Sequence, residues 1–252
     1  MSELDVLAFG AHPDDVELCA GGTICSLTKR GYRVGVVDLT RGQLGSRGTP
    51  DGRDEEAARA SEIMGLSVRE NLGMMDGAIH NTREHQLRVI RVLRTYRPHV
   101  ALIGSFECRH PDHGAGARLC ADAFFYGGLR KIVTHDDDGS EQAPWRPHHV
   151  LHYMQAIDFD PTFVVDVSDV WSQRIDALRA FESQFFNPDY EPDEDEPETF
   201  VSNEGFSRWV EARARTYGYR IGAEYGEPFL YRQGPVGVSD LFRILSEERP
   251  FR

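Results

Sequence analysis

Cysteine is scarce in this chain, and its placement excludes two classes of protein. The four cysteines, Cys19, Cys25, Cys108 and Cys120, show no C-x-x-C spacing. They build neither a disulfide framework nor a cysteine-zinc site, and they suit a reducing cytosol. Long apolar runs are missing too, since none approaches the ~18 residues of a membrane span. Met1 to Asp5 lacks the basic stretch and apolar core of a secretory signal. Basic charge is also short. Lys and Arg number 28 against 41 Asp and Glu, a formal net charge of -13, which leaves no basic stripe to neutralise nucleic-acid phosphates. The expectation is a cytoplasmic protein with neither a nucleic-acid nor a membrane partner.

What is present is an alternation of strands and helices over 252 residues, long enough for a sizeable core. With no internal repeat and no linker, 1–252 reads as a single domain. Leu4 to Gly10 is an apolar run typical of a buried strand, and an amphipathic helical segment with Val16, Ile24 and Leu27 follows. The spacing then predicts a strand over Arg33–Leu39, a helix over Asp54–Met64, a weak strand near Val68–Leu72 and a helix over Glu84–Tyr96 ended by Pro98. Another strand covers residues 98–104 and another helix Ala115 to Tyr126. Beyond Gly127 come a polar loop (Thr134 to Pro147), strands at His148–Gln155 and Phe163–Val167, and helices at Asp169 to Phe181 and Glu204 to Tyr217, the last capped by Asn203. Thr40 to Arg53, with Gly42, Gly45, Gly48 and Gly52, reads as a long mobile active-site loop. Asn187 to Pro197, with its acidic run Glu191–Glu196, reads as a solvated stretch with no catalytic part. The fold class is α/β: a Rossmann-like, doubly wound, mostly parallel sheet with helices on both faces. In the common strand order the first and fourth strands are neighbours, and their carboxyl ends flank the crevice where ligands bind.

Those two strand ends carry the chemistry. The first runs into His12-Pro13-Asp14-Asp15 and the fourth into His110-Pro111-Asp112-His113. Imidazole and carboxylate are zinc ligands, and a catalytic zinc takes three protein ligands with one position open. Pro13 stiffens the first turn so that His12 and Asp15 can converge on one point, leaving Asp14 free as a general base. Taken alone, this turn also fits a helix cap, for which Asp is favoured. The second turn decides for a metal site, because it supplies a third ligand and a spare acid. A nucleotide-binding module is excluded: G-x-G-x-x-G is absent, and two aspartates stand where a phosphate would lie.

With Arg53 and Glu56, these motifs resemble the LmbE-like (PIG-L) family of zinc-dependent N-acetylglucosaminyl deacetylases. Within it, Asp5 to Glu17, Arg109 to Gly114, Val210 to Arg213 and Tyr217-Gly218 are similar to the first-type bacillithiol biosynthesis deacetylases. The resemblance implies that His12, Asp15 and His113 hold the metal, zinc with iron(II) or cobalt(II) as alternatives. It implies that Asp14 is the general base and that His110 stabilises the tetrahedral intermediate or protonates the leaving amine. Asp112 would orient an imidazole. Arg53 would meet the polar groups of the substrate with Glu56 holding it, or else form a surface pair with Glu56. Arg109 either grips the carboxylates of an acidic aglycone or faces solvent. The implied substrate is N-acetylglucosaminyl L-malate; another N-acetylglucosamine compound (free sugar, chitin fragment or glycolipid) is the alternative. A homo-oligomer, of hexameric type, is implied as well. Gln43 and Ser46 are candidates for sugar hydroxyls, and Tyr126 and Tyr190 for the oxyanion. His80, His85, His99, His148, His149 and His152 are assigned to packing or surface.

Overall fold

A computed structural model of the protein describes residues 3–192 and 196–238. The elements follow in the order β1 (Val6–Gly10), α1 (Asp15–Lys29), β2 (Val34–Thr40), α2 (Pro50–Met64), β3 (Val68–Met74), α3 (Arg83–Tyr96), β4 (Val100–Ile103), α4 (Pro111–Gly127), β5 (His149–Tyr153), β6 (Phe163–Asp166), α5 (Trp171–Arg179), α6 (Glu204–Ile221) and β7 (Gly226–Tyr231). They form one seven-stranded sheet in the order β3-β2-β1-β4-β5-β7-β6. The pairs from β3 to β5 are parallel, while β7 runs antiparallel to both β5 and β6. The mostly parallel, doubly wound reading holds, and β1 pairs directly with β4.

Every residue of β1 and β2 is buried, as a central parallel strand covered on both faces requires. The two-residue period of a strand divides β1 between two cores. Leu7 and Phe9 pack with Ile90 and Leu93 of α3 and with Leu119 and Phe124 of α4. Val6 and Ala8 pack with Val16 and Ile24 of α1 and with Phe229 of β7. A third cluster joins α2, α5 and α6 through Ala60, Phe181 and Val210.

Three expectations are corrected. The loop after β2 is shorter than the glycine content suggested, because α2 starts at Pro50; the Thr49 hydroxyl accepts Gly52 N–H at 3.0 Å, and proline takes the first helical position. Likewise α4 starts at Pro111, which puts His113 in its first turn with His110 at the cap. Strand β7 carries Pro228, which argues against a strand in a sheet interior. Pairing with β5 begins only at Phe229, so the missing N–H of Pro228 costs no hydrogen bond on that side. In the acidic stretch, Glu196 accepts Gly48 N–H at 2.6 Å and the Tyr190 hydroxyl at 2.8 Å, tying this segment to the loop after β2. Residues 193–195 of that stretch lie outside the described residues.

Candidate active site

The two His-Pro-Asp turns meet at the carboxyl ends of β1 and β4. Asp14 has φ 116°, a left-handed conformation costing a non-glycine residue about 1–3 kcal/mol. Its side chain caps nothing, so the helix-cap reading falls. The Asp15 carboxylate turns back to accept His12 N–H at 3.0 Å. Its two oxygens then face two imidazoles: His12 Nδ1 at 3.6 Å and His113 Nε2 at 3.1 Å. The other nitrogen of each ring is occupied. His12 Nε2 lies 3.1 Å from Asp76 Oδ1 and 3.5 Å from Asp112 Oδ2, while His113 Nδ1 lies 3.0 Å from Cys108 Sγ. Asp76 and Asp112 are fixed in turn by the N–H groups of Leu44 and Gly77, at 2.8 and 2.7 Å.

His110 stacks on His113 with ring centroids 4.9 Å apart, and ring nitrogens of His12, His110 and His113 come within 4.8 Å of one another. His110 Nδ1 accepts Asp112 N–H at 3.3 Å, which leaves its proton on Nε2. Desolvation first, and the neighbouring His12 and His113 next, lower its pKa, so the ring is a neutral donor near pH 7.

Electrostatics binds the cluster together. Burial alone raises Asp15 and lowers His12 and His113. The charge pairing wins: Asp15 is held well below the carboxylate range, His12 well above its usual value and His113 at about 10. The imidazole protons thus stand where a divalent cation would place its charge, and metal binding displaces such protons. Two neutral imidazoles and a carboxylate suit a divalent transition ion, and the converging nitrogens fit one. Asp14 is pushed up to about 7, by burial first and by Asp15, against the lowering effect of Arg53.

Arg53 is buried on α2, with Nη1 3.8 Å from Asp14 Oδ2. Glu56 does not hold it. That carboxylate accepts the backbone N–H and the hydroxyl of Ser183, at 2.8 and 3.0 Å. Glycine is required at Gly42 to admit the guanidinium, since a Cβ there, at φ 64°, would lie 2.6 Å from Arg53 Nη1. Gln43 is spent on backbone groups of Arg41 and Met74. Tyr126 lies under Arg83, and Tyr190 donates to Glu196.

Beside Asp15 and His113 opens a largely apolar cavity of about 340 Å³ that Arg109, Arg213, Phe200 and Trp209 also line. The guanidinium of Arg109 lies 4.5 Å over the Phe200 ring and that of Arg213 4.4 Å over Trp209. Arg213 also donates to the Gln155 carbonyl. Neither arginine pairs with a carboxylate among the described residues. Asp76, Cys108 and the cavity position of Arg213 were not legible in the sequence; Asp76, in a Met-Met-Asp-Gly turn, looks like an ordinary loop residue.

The family model described as PIG-L, GlcNAc-PI de-N-acetylase, matches residues 7–124, which span both turns. A diacetylchitobiose deacetylase of Thermococcus kodakarensis is 34% identical over 198 residues, covering 71% of this chain and 70% of that protein. The chain belongs to the PIG-L family. Among solved PIG-L-like structures, the conserved protein TT1542 from Thermus thermophilus superposes with a TM-score of 0.80 at 35% identity, over 94% of this chain and 98% of that one. The Bacillus anthracis protein named Probable N-acetyl-alpha-D-glucosaminyl L-malate deacetylase 2 is 26% identical over 200 residues, 73% of this chain and 83% of its own.

Proposed function

We propose that this PIG-L enzyme, a hydrolase of N-acetyl amide bonds, removes the acetyl group from an N-acetylglucosaminyl conjugate with an acidic aglycone, of which L-malate is the leading case. The observation that carries the chemistry is the convergence of His12 Nδ1 and His113 Nε2 on the Asp15 carboxylate, with Asp14 and His110 alongside. His12, Asp15 and His113 would hold the metal, zinc by preference. A divalent ion there polarises the acetamide carbonyl and makes water a better nucleophile.

The chain's own residues do the rest. Asp14 takes a proton from the water that attacks the carbonyl carbon. Arg53, beside it, keeps a useful fraction of that carboxyl ionised near neutrality. His110 donates its Nε2–H toward the carbonyl oxygen as negative charge builds there. When the C–N bond breaks, the proton held by Asp14 passes to the departing amine, giving acetate and a free amino sugar. Asp112 and Asp76 keep His12 turned toward the metal position.

The acidic aglycone is supported by Arg109 and Arg213, two guanidinium groups without acid partners at the cavity beside Asp15, in a protein of net charge -13. A second reading, diacetylchitobiose, is favoured by the Thermococcus kodakarensis relative and by the Phe200 and Trp209 rings, on which a second sugar could stack. Amine release is measured with zinc-reloaded protein on N-acetylglucosaminyl L-malate, diacetylchitobiose and N-acetylglucosamine, beside a chelator-treated control. Preference for the malate conjugate, lost on chelation, is the expected result. Preference for the disaccharide would transfer the assignment to the second reading, and activity that survives complete metal removal would overturn the metal site.

A further inference from the structure

Three of the four cysteines are packing residues. Cys19 and Cys25 belong to the core on one face of the sheet and Cys120 to the core on the other. Cys108 stands apart: half-buried in the connection between β4 and α4, outside both cores, it places its sulfur 3.0 Å from His113 Nδ1. The backbone N–H groups of Ala156 and His110 also point at this sulfur. An atom surrounded by donors acts as an acceptor, so the shared proton belongs on His113 Nδ1, and the lone pair of that ring is then on Nε2, the nitrogen facing Asp15 at 3.1 Å. His12 is held in a matching way, with Asp76 against Nε2 and Nδ1 turned to Asp15.

We infer that Cys108 is a positioning residue for the metal site: by accepting the Nδ1–H of His113, its sulfur fixes the tautomer and ring orientation that present Nε2 to the metal. This rests on the assignment of His113 as a ligand. An acceptor on the far nitrogen makes the ligating nitrogen more basic and fixes its direction, and losing such a partner typically costs 10–100-fold in metal affinity. The sulfur supports the ligand and is not itself one, because it lies on the Nδ1 side of the ring.

The test compares wild type with Cys108→Ala and Cys108→Ser by chelator competition for zinc, a measurement independent of any substrate. Alanine is expected to weaken zinc binding about 10–100-fold, and serine, whose hydroxyl oxygen can still accept, to recover most of that loss. Alanine within twofold of wild type would overturn the inference; so would equal losses in both variants, which would place the effect in packing. Two wild-type measurements do not depend on a variant folding. Long-range proton–nitrogen NMR of the zinc-loaded protein should show His113 protonated at Nδ1, and metal on Nδ1 would refute the assignment. The cobalt(II)-substituted protein should lack a sulfur-to-cobalt charge-transfer band; its presence would make Cys108 a ligand and overturn the positioning role. Failure of wild type to bind zinc at all would overturn the metal reading itself, and that failure is visible before any substitution is made.

Discussion

Replacing Arg69 with methionine should weaken the scaffold under the site without touching the site itself. Arg69, on β3, reaches into the sheet and makes three charge-assisted bonds: Nη1 to Glu17 Oε1 at 2.5 Å, Nε to Asp38 Oδ2 at 2.7 Å and Nη2 to Asp38 Oδ1 at 3.0 Å. Glu17 and Asp38 are 0% and 2% exposed. Glu17 lies two residues beyond Asp15, and Asp38 is near the end of β2. Methionine keeps the apolar stem and removes the charge, leaving two carboxylates buried without their cation. Breaking a buried pair in this way costs about 3–5 kcal/mol, and a protein of this size loses about 2–4 °C per kcal/mol, so the melting temperature should fall by roughly 6–20 °C. The pH dependence has a definite sign. Burial holds Asp38 at about 6 even against the lowering effect of Arg69, and without Arg69 it moves higher. A folded-state carboxyl above its unfolded value contributes stability at low pH that is lost as pH rises through the folded pKa. The deficit should therefore be largest near pH 7.5 and shrink toward pH 5. Thermal melts of metal-free wild type and variant at both pH values provide the assay. A deficit below about 1 kcal/mol at pH 7.5, or one that grows on acidification, would refute the reasoning. Adding Glu17→Met and Asp38→Leu should restore most of the loss, since apolar replacement of a whole buried charge cluster is often neutral or better.

Other outcomes follow from the same geometry. Asp14→Asn should lower kcat by about 10²–10⁴-fold, the usual worth of a positioned acid–base group, with metal content by elemental analysis unchanged because Asp14 is not among the three ligands. With Asp14 at about 7 and required as a base, kcat/KM should rise with pH to near neutrality. Arg53→Leu removes a cation that lowers Asp14, so the acidic limb should move to higher pH, and a limb that stays in place would separate the two residues. Gly22→Ala would set a Cβ 2.8 Å from Val167 Cβ and 2.9 Å from Glu227 Oε1; overpacking of this kind costs about 1–3 kcal/mol, to be read from the melting temperature.

How far the site was legible depended on how local its parts are. His12, Asp14 and Asp15 occupy one strand-to-helix turn, as do His110, Asp112 and His113, and turn chemistry is written in neighbouring residues. The pairing of β1 with β4 could be anticipated because parallel strands joined by helices have few favoured orders. That was enough to bring the two turns together.

Contacts between residues distant in the chain were decided by packing alone. Asp76 reaches His12 from 64 positions away because the end of edge strand β3 is carried over the β1 turn, and nothing in its own surroundings distinguishes it from other turn aspartates. Glu227 accepts Gly22 N–H and Thr23 N–H, fastening α1 to β7, a strand that Pro228 disguised. Arg213 faces the cavity because α6 packs beside α1, and Cys108 meets His113 because the loop before α4 folds back on its first turn. The sequence by itself determined the metal-ligating turns and the sheet that presents them, through local spacing and apolar periodicity. Only the tertiary structure decided which acceptors stand behind each imidazole and which cations line the cavity, because those positions arise from the summed packing of elements far apart in the chain.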